Sequence, residues 1–187
     1  GFFEALTHTA FNVTSIVTTA GFTSDDYQLW GPFAVMVFFI LMFVGGCTGS
    51  TAGGMKIFRL QILAILFKTQ VRQTLYPHVA QTMRYGERTV SREIVFSVAL
   101  FVFVYLASML VVAMALAAFG LDFTTALSSA VTSIANVGPG LGPIVGPAGN
   151  FATLPDGPKL IMAFAMLLGR LELLTVLVMF SKDYWER

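Results

Sequence analysis

Uncharged apolar runs long enough to cross a lipid bilayer constrain this chain more than any other feature. Gly31 to Met55 and Ile94 to Phe119 contain no charged residue, and Leu160 to Phe180 contains only Arg170 and Glu172. A bilayer core requires about 20 apolar residues in a helix, so each run is read as a span. Of 187 residues, 56% are hydrophobic and 11% charged. A soluble domain carries about 25% charged residues, which argues against a soluble enzyme. The 18 Phe and 9 Met are equally foreign to a disordered chain. The single cysteine, Cys47, excludes an intrachain disulfide and any multi-cysteine metal centre.

Two further segments, Ala5 to Val17 and Phe123 to Ile134, are apolar but too short to span, which suits re-entrant or buried helices. Each is followed by a glycine-containing turn, Thr18–Thr19–Ala20–Gly21–Phe22 after the first and Asn136–Val137–Gly138–Pro139–Gly140 after the second. Charge placement orients the pieces. Lys56, Arg59, Lys68, Arg72, Arg84, Arg88 and Arg92 fall between the first two spans, seven of the 11 basic residues. An excess of Lys and Arg in one connection places it in the cytoplasm. Lys182 and Arg187 put the C-terminus on the same side. The loops carrying Asp25, Asp26, Asp122 and Asp156 then face outward.

An internal repeat follows. Ile94 to Phe180 reads as span, short helix, turn and span; Phe3 to about Phe67 reads as the same unit without its first span. Thr14–Ser15–Ile16 and Thr132–Ser133–Ile134 precede their turns alike, and Gly21 and Gly138 occupy equivalent places. The division expected is residues 1–70, with the first short helix, its turn and a broken span; 71–92, a basic cytoplasmic linker; and 93–187, the complete unit. Irregular backbone at membrane depth is tolerated only where it is buried in protein or lines a water-filled cavity, so the two turns suggest a cation pathway. Backbone carbonyls can replace the hydration shell of a permeating ion, and glycine permits the left-handed conformations such a turn needs. A short helix entering from outside points its partly negative C-terminal end toward the membrane centre, which favours a cation there.

These runs, with Gly45–Gly46–Cys47–Thr48–Gly49–Ser50–Thr51–Ala52–Gly53–Gly54–Met55–Lys56 and Gly169–Arg170–Leu171–Glu172, resemble the Trk/Ktr/HKT superfamily of potassium transporters, closest to the C-terminal half of its bacterial TrkH branch. The resemblance implies an all-α integral membrane fold, potassium-channel-like, in which four span, re-entrant pore helix, filter turn and span units surround one pore. Here about one and a half to two of those units are present. It implies potassium as the transported ion, no covalent cofactor, and a filter formed by Thr18, Thr19, Ala20, Gly21 and Phe22 with Asn136, Val137, Gly138 and Pro139. The potassium would be held through the backbone carbonyls of Thr19, Ala20, Gly21, Asn136, Val137 and Gly138. It further implies a gate made of the glycine-rich run Gly45 to Gly54 and Arg170. Expected partners are the missing N-terminal half of the pore, a second copy in a homodimer, a cytosolic nucleotide-binding regulatory subunit and the lipid bilayer, with no nucleic acid. The expected location is the bacterial inner membrane, multi-pass, with residues 56–92 and the C-terminus cytoplasmic. Because Gly1 stands where an initiator Met would, the chain is expected to begin partway through a longer protein.

The same residues admit competing readings. Gly45, Gly49 and Gly53, four apart, also suit close helix packing, but glycine costs a helix about 1 kcal/mol per residue relative to Ala, so a broken helix is expected. A phosphate-binding loop lacks its Gly–Lys–Ser/Thr and its βαβ setting. Arg170, about 17 Å from either end of its helix at 1.5 Å per residue, should face protein or water, because a central Arg is costly in lipid; it gates, or it pairs with Glu172 or Glu4. His8 and His78 are not at metal-ligand spacing. A sodium-conducting relative, an ion-coupled secondary transporter with broken helices and a non-conducting scaffold are the alternative functions.

Overall fold

The computed structural model describes residues 1–46, 49–50, 52–76, 83–86 and 88–171. Cys47, Thr48, Thr51, His78, Glu172, Lys182 and Arg187 lie outside them, as does the third apolar run beyond Leu171.

The longest element is α4 (Arg92–Ala118), 27 residues or about 40 Å. It starts where Ser91 accepts the Ile94 N–H at 3.4 Å. Val95, Val98, Phe101, Tyr105, Met109, Val112 and Leu116 form a buried stripe at helical spacing. The opposite face is equally apolar, with Phe96 and Phe103 each 71% exposed and Val111 60% exposed. A helix that is apolar all round and buried on one side only suits a lipid surround. Among the described residues it is the one helix long and apolar enough to cross a membrane.

Packed between α4 and α7 (Asp156–Arg170) is α5 (Phe123–Ala135), which the one-turn helix α6 (Gly142–Val145) follows. Asp122 begins α5 by accepting the Thr125 N–H at 3.1 Å. Its Ala, Ser and Thr residues are small enough for the neighbouring helices to approach closely, and from Ser128 to Ala135 every residue is buried. The other short helix, α1 (Phe2–Val17), starts earlier than expected and buries only Asn12, Ser15 and Ile16. Phe2, Phe3, Leu6 and Phe11 along it are exposed.

The run Gly31 to Met55 is not a continuous helix. Pro32, whose fixed φ suits a helix start, opens α2 (Pro32–Leu41), but α2 ends after 10 residues, too short to span alone. Two-residue strands, β1 (Val44–Gly45) and β2 (Met55–Lys56), then pair in parallel and close the intervening glycine-rich stretch into a loop. The chain resumes as α3 (Ile57–Leu75), which runs through the expected boundary at residue 70 because Val71 to Leu75 continue its hydrogen-bonded ladder. The expected linker also contains a small hairpin, β3 (Arg84–Tyr85) with β4 (Arg88–Thr89). There Ile62, Val90, Val95 and Val98 form a second, smaller core, and the Arg59 guanidinium lies 3.7 Å from the centre of the Phe101 ring.

Candidate functional site

The turns after α1 and α5 follow the same backbone course. Thr19 and Asn136 adopt positive φ, 58° and 55°, a region uncommon for non-glycine residues. The Thr19 N–H donates to Ile16 O at 3.1 Å, and the Asn136 N–H to Ser133 O at 3.2 Å. One residue on, the Ala20 N–H reaches Ser15 O at 2.9 Å and the Val137 N–H reaches Thr132 O at 3.0 Å. Next, Gly21 and Gly138 take φ of 78° and 117°, which only glycine adopts without cost. The Gly21 N–H then returns to the Ser15 carbonyl at 3.4 Å, whereas the Gly138 N–H donates to Thr132 Oγ1 at 2.9 Å. Every corresponding pair is separated by one constant offset along the chain.

The two turns meet at these glycines. A Cβ built on Gly138 would lie 3.4 Å from Gly21 Cα, and one built on Gly21 would overlap the Val137 carbonyl oxygen. A groove of about 640 Å³ runs along α1 and the first turn, lined in part by Thr14, Thr18, Ala20 and Phe22. No residue from Thr18 to Phe22 or Asn136 to Gly140 is charged, so any cation there would be met by oxygen dipoles.

The glycine-rich loop lies against the helix-proximal end of both turns. The Gly53 N–H donates to Thr19 Oγ1 at 3.0 Å. The vacant side-chain position of Gly53 faces the Ala135 carbonyl and the Cβ of Asn136. Gly45 in turn faces the Gly53 carbonyl, and the ladder continues with the Met55 N–H on Phe43 O at 3.0 Å. Lys56 closes the loop from its exit: its ammonium donates to Ser50 O at 2.8 Å and to Ala52 O. Of the expected gate residues, Gly45, Gly46, Gly49, Ser50, Ala52, Gly53 and Gly54 belong to this loop. Cys47, Thr48 and Thr51 are outside the described residues.

The end of α7 reaches the same place. Asn136 donates its side-chain amide to Met166 O at 3.0 Å, and Gly169 presses on the Ile134 carbonyl so closely that a Cβ there would overlap it. Arg170, the last residue of α7, follows directly. Of the partners weighed for Arg170 from the sequence, Glu4 lies exposed in the first turn of α1. Glu172 is outside the described residues.

Sequence reasoning missed the side chains that join the two turns on their other side. Tyr27 Oη donates to Gly140 O at 3.2 Å. Gln28 Oε1 accepts the Gly142 N–H at 2.6 Å, and Thr23 Oγ1 donates to Pro147 O at 3.2 Å. These partners lie more than a hundred residues apart, and no local pattern announces them. Nor does the sequence announce that the Lys56 ammonium holds the loop; the expected gate ends at Gly54.

Comparison with known proteins places the chain. The family model described as TrkH, cation transport protein, matches residues 3–187. The Trk system potassium uptake protein TrkI of Halomonas elongata is 49% identical over 185 residues, which are 99% of this chain and 38% of that protein. The Trk system potassium uptake protein TrkH of Escherichia coli K12 is 35% identical over 176 residues, 94% of this chain and 36% of that one. The crystal structure of the potassium transporter TrkH from Vibrio parahaemolyticus superimposes with a TM-score of 0.90 at 32% identity, over 98% of this chain and 38% of that chain. The chain therefore spans somewhat over a third of the length of these relatives. A family match over nearly its whole length, joined to the shared helical fold, shows that the chain belongs to the TrkH family of cation transport proteins, transporters rather than enzymes.

Proposed function

We propose that this chain supplies two of the filter turns, and the gate, of a potassium-conducting pore. The observation that carries the reading is the pair of turns with one backbone course, meeting glycine to glycine, with the glycine loop bonded to Thr19 beneath them. In this reading α1 and α5 are re-entrant pore helices of two repeated units. The carbonyls of Thr19, Ala20 and Gly21 and of Asn136, Val137 and Gly138 replace the hydration shell of potassium, with Thr18, Phe22 and Pro139 completing the filter. The C-terminal ends of α1 and α5 add a favourable partial negative charge.

The loop, Gly45 to Gly54, forms the gate below the filter. An ion leaving the filter meets the Gly53 to Thr19 hydrogen bond, and opening requires that bond to break. Hydrogen bonds contribute about 0.5–1.5 kcal/mol net each, a scale that allows a gate to be shifted by a regulator. Arg170, at the end of α7, opposes a cation in the same region by like-charge repulsion, stronger in a low-dielectric site than in water. The exposed apolar side of α1 and the groove beside it are where the rest of the pore, absent from this chain, would close the path. The complete protein sits in the bacterial inner membrane as a homodimer, works with a cytosolic nucleotide-binding subunit, and keeps residues 56–92 and its C-terminus in the cytoplasm.

The test is rubidium uptake, with sodium as competitor, by the complete protein in proteoliposomes. Gly21→Ala and Gly138→Ala should both lower potassium-over-sodium discrimination, Gly21→Ala more, because its Cβ meets the Val137 carbonyl while that of Gly138 has 3.4 Å. Unchanged discrimination and flux in both variants would refute the filter assignment.

A further inference from the structure

We infer that Tyr27 and Gln28 form a brace between the two repeated units that sets the shape of the outer end of the second filter turn, making them specificity-determining positioning residues. The inference rests on the filter reading of Asn136 to Gly140 and adds to it a source of rigidity that lies outside the filter itself.

Tyr27 is fully buried. Its ring stacks on Phe38 with centroids 4.1 Å apart and planes 15° apart, and Trp30 packs edge-on against the same Phe38 at 5.9 Å. A ring held in this way cannot swing, so its hydroxyl delivers the hydrogen bond to Gly140 O from a fixed point. Gln28 acts beside it through both ends of its amide: Oε1 accepts the Gly142 N–H at 2.6 Å, and Nε2 donates to Gly142 O at 3.4 Å. Its Nε2 also donates to Asp26 Oδ1 at 3.4 Å, which fixes the amide's orientation.

The segment they grip has little slack. Between the two contacts, Leu141 has its N–H and its carbonyl bonded to Ser128 Oγ, at 3.0 and 3.1 Å. Gly140 donates its N–H to Val145 O, and a Cβ on Gly140 would lie 2.9 Å from Val145 Cγ2 and 3.1 Å from Ser128 Oγ. Three consecutive residues thus have backbone groups held by side chains. One side chain comes from α5 of their own unit, and two come from the loop after the other unit's turn. Thr23 of the same loop adds a contact of the same kind, its Oγ1 donating to Pro147 O. At the constant offset that superimposes the turns, Tyr27 and Gln28 correspond to Ile144 and Val145, neither of which has a polar side chain. The brace is therefore one-sided, and it acts two residues beyond Gly138, where a carbonyl filter keeps or loses its spacing. Discrimination between two ions of equal charge depends on where the oxygens sit and how far they yield. A brace that fixes Gly140 limits that yielding.

The experiment is rubidium uptake with sodium competition, per folded protein, by the complete protein in proteoliposomes carrying Tyr27→Phe, Gln28→Glu, Gln28→Ala or Gly138→Ala. Tyr27→Phe keeps the ring and its stack and removes only the hydroxyl. It should reduce potassium-over-sodium discrimination by about two- to tenfold, the effect of one net hydrogen bond, while rubidium flux persists. Gln28→Glu keeps the acceptor for the Gly142 N–H and should reduce discrimination less than Gln28→Ala. If Gly138→Ala changes discrimination and Tyr27→Phe and Gln28→Ala do not, the brace is refuted and the filter reading stands. If Gly138→Ala and, tested beside it, Gly21→Ala also leave discrimination and flux unchanged, the filter reading fails with it. Loss of folded Tyr27→Phe protein would show that the hydroxyl serves folding rather than selection, and would overturn the inference.

Discussion

Adding a single methyl group at Gly53 should open the pore. A Cβ there would lie 2.9 Å from both the Ala135 carbonyl carbon and Asn136 Cβ, and closer still to the Ala135 oxygen, so one side must move. Helix α5 is buried from Ser128 to Ala135, the end that Gly53 meets, and packs against both α4 and α7, whereas the described part of the loop meets the turns through the Gly53 bond to Thr19 and is closed by a two-residue ladder and the Lys56 contacts. The loop gives way. Overpacking costs about 1–3 kcal/mol, and loss of the Gly53 to Thr19 bond adds about 0.5–1.5 kcal/mol. Together they shift the closed-to-open ratio by roughly tenfold to a thousandfold, at about 1.4 kcal/mol per factor of ten. Gly49 lies in the same loop with nothing within 4 Å of its Cβ position, so Gly49→Ala is the matched control. The assay is unregulated rubidium uptake by the complete protein, normalised to folded protein. Gly53→Ala should raise basal flux and Gly49→Ala leave it near the parent level. Equal fluxes in the two variants would refute the argument that contact between loop and turn closes the path.

Lys56→Met removes the ammonium that holds the carbonyls of Ser50 and Ala52 while keeping most of the side chain's volume, and should raise basal uptake, with Lys56→Arg closer to the parent. Asp122→Ala should lower the thermal midpoint of the complete protein in detergent, consistent with a helix cap worth about 1 kcal/mol. The neighbouring Thr125 hydroxyl and the Thr125 N–H, which donates to it at 3.1 Å, hold the Asp122 carboxyl below its ordinary value of 3.8. A carboxylate lowered on folding stabilises above its unfolded pKa and loses that contribution as pH falls through its folded value. The midpoint difference between parent and Asp122→Asn should therefore be full at neutral pH and shrink only below the ordinary carboxylate range.

What could be read from the amino acids alone was local. The apolar run of α4, the small-residue character of α5, its start at Phe123 and the glycine turns after α1 and α5 are all written in consecutive residues. The termination of α2 at Leu41 was not legible, because Met42, Phe43 and Val44 are as apolar as the helix before them. It follows from β1 pairing with β2, a contact set by the far end of the loop. The continuation of α3 past residue 70 was hidden by polar composition, since Gln70, Arg72 and Gln73 are good helix formers in a segment that reads as solvated linker. The contacts of Gly53 with Thr19, Asn136 with Met166 and Tyr27 with Gly140 join residues that no periodicity connects. Glycine density showed that the loop was irregular; only the fold shows what it touches.

Thallium, which scatters anomalously and substitutes for potassium, tests the central claim most directly. Crystals of the complete protein grown with thallium should show anomalous peaks on one axis, within coordination distance of the carbonyls of Thr19 to Gly21 and of Asn136 to Gly138, and those peaks should weaken when potassium competes. Bound thallium with no peak beside either turn would contradict the account.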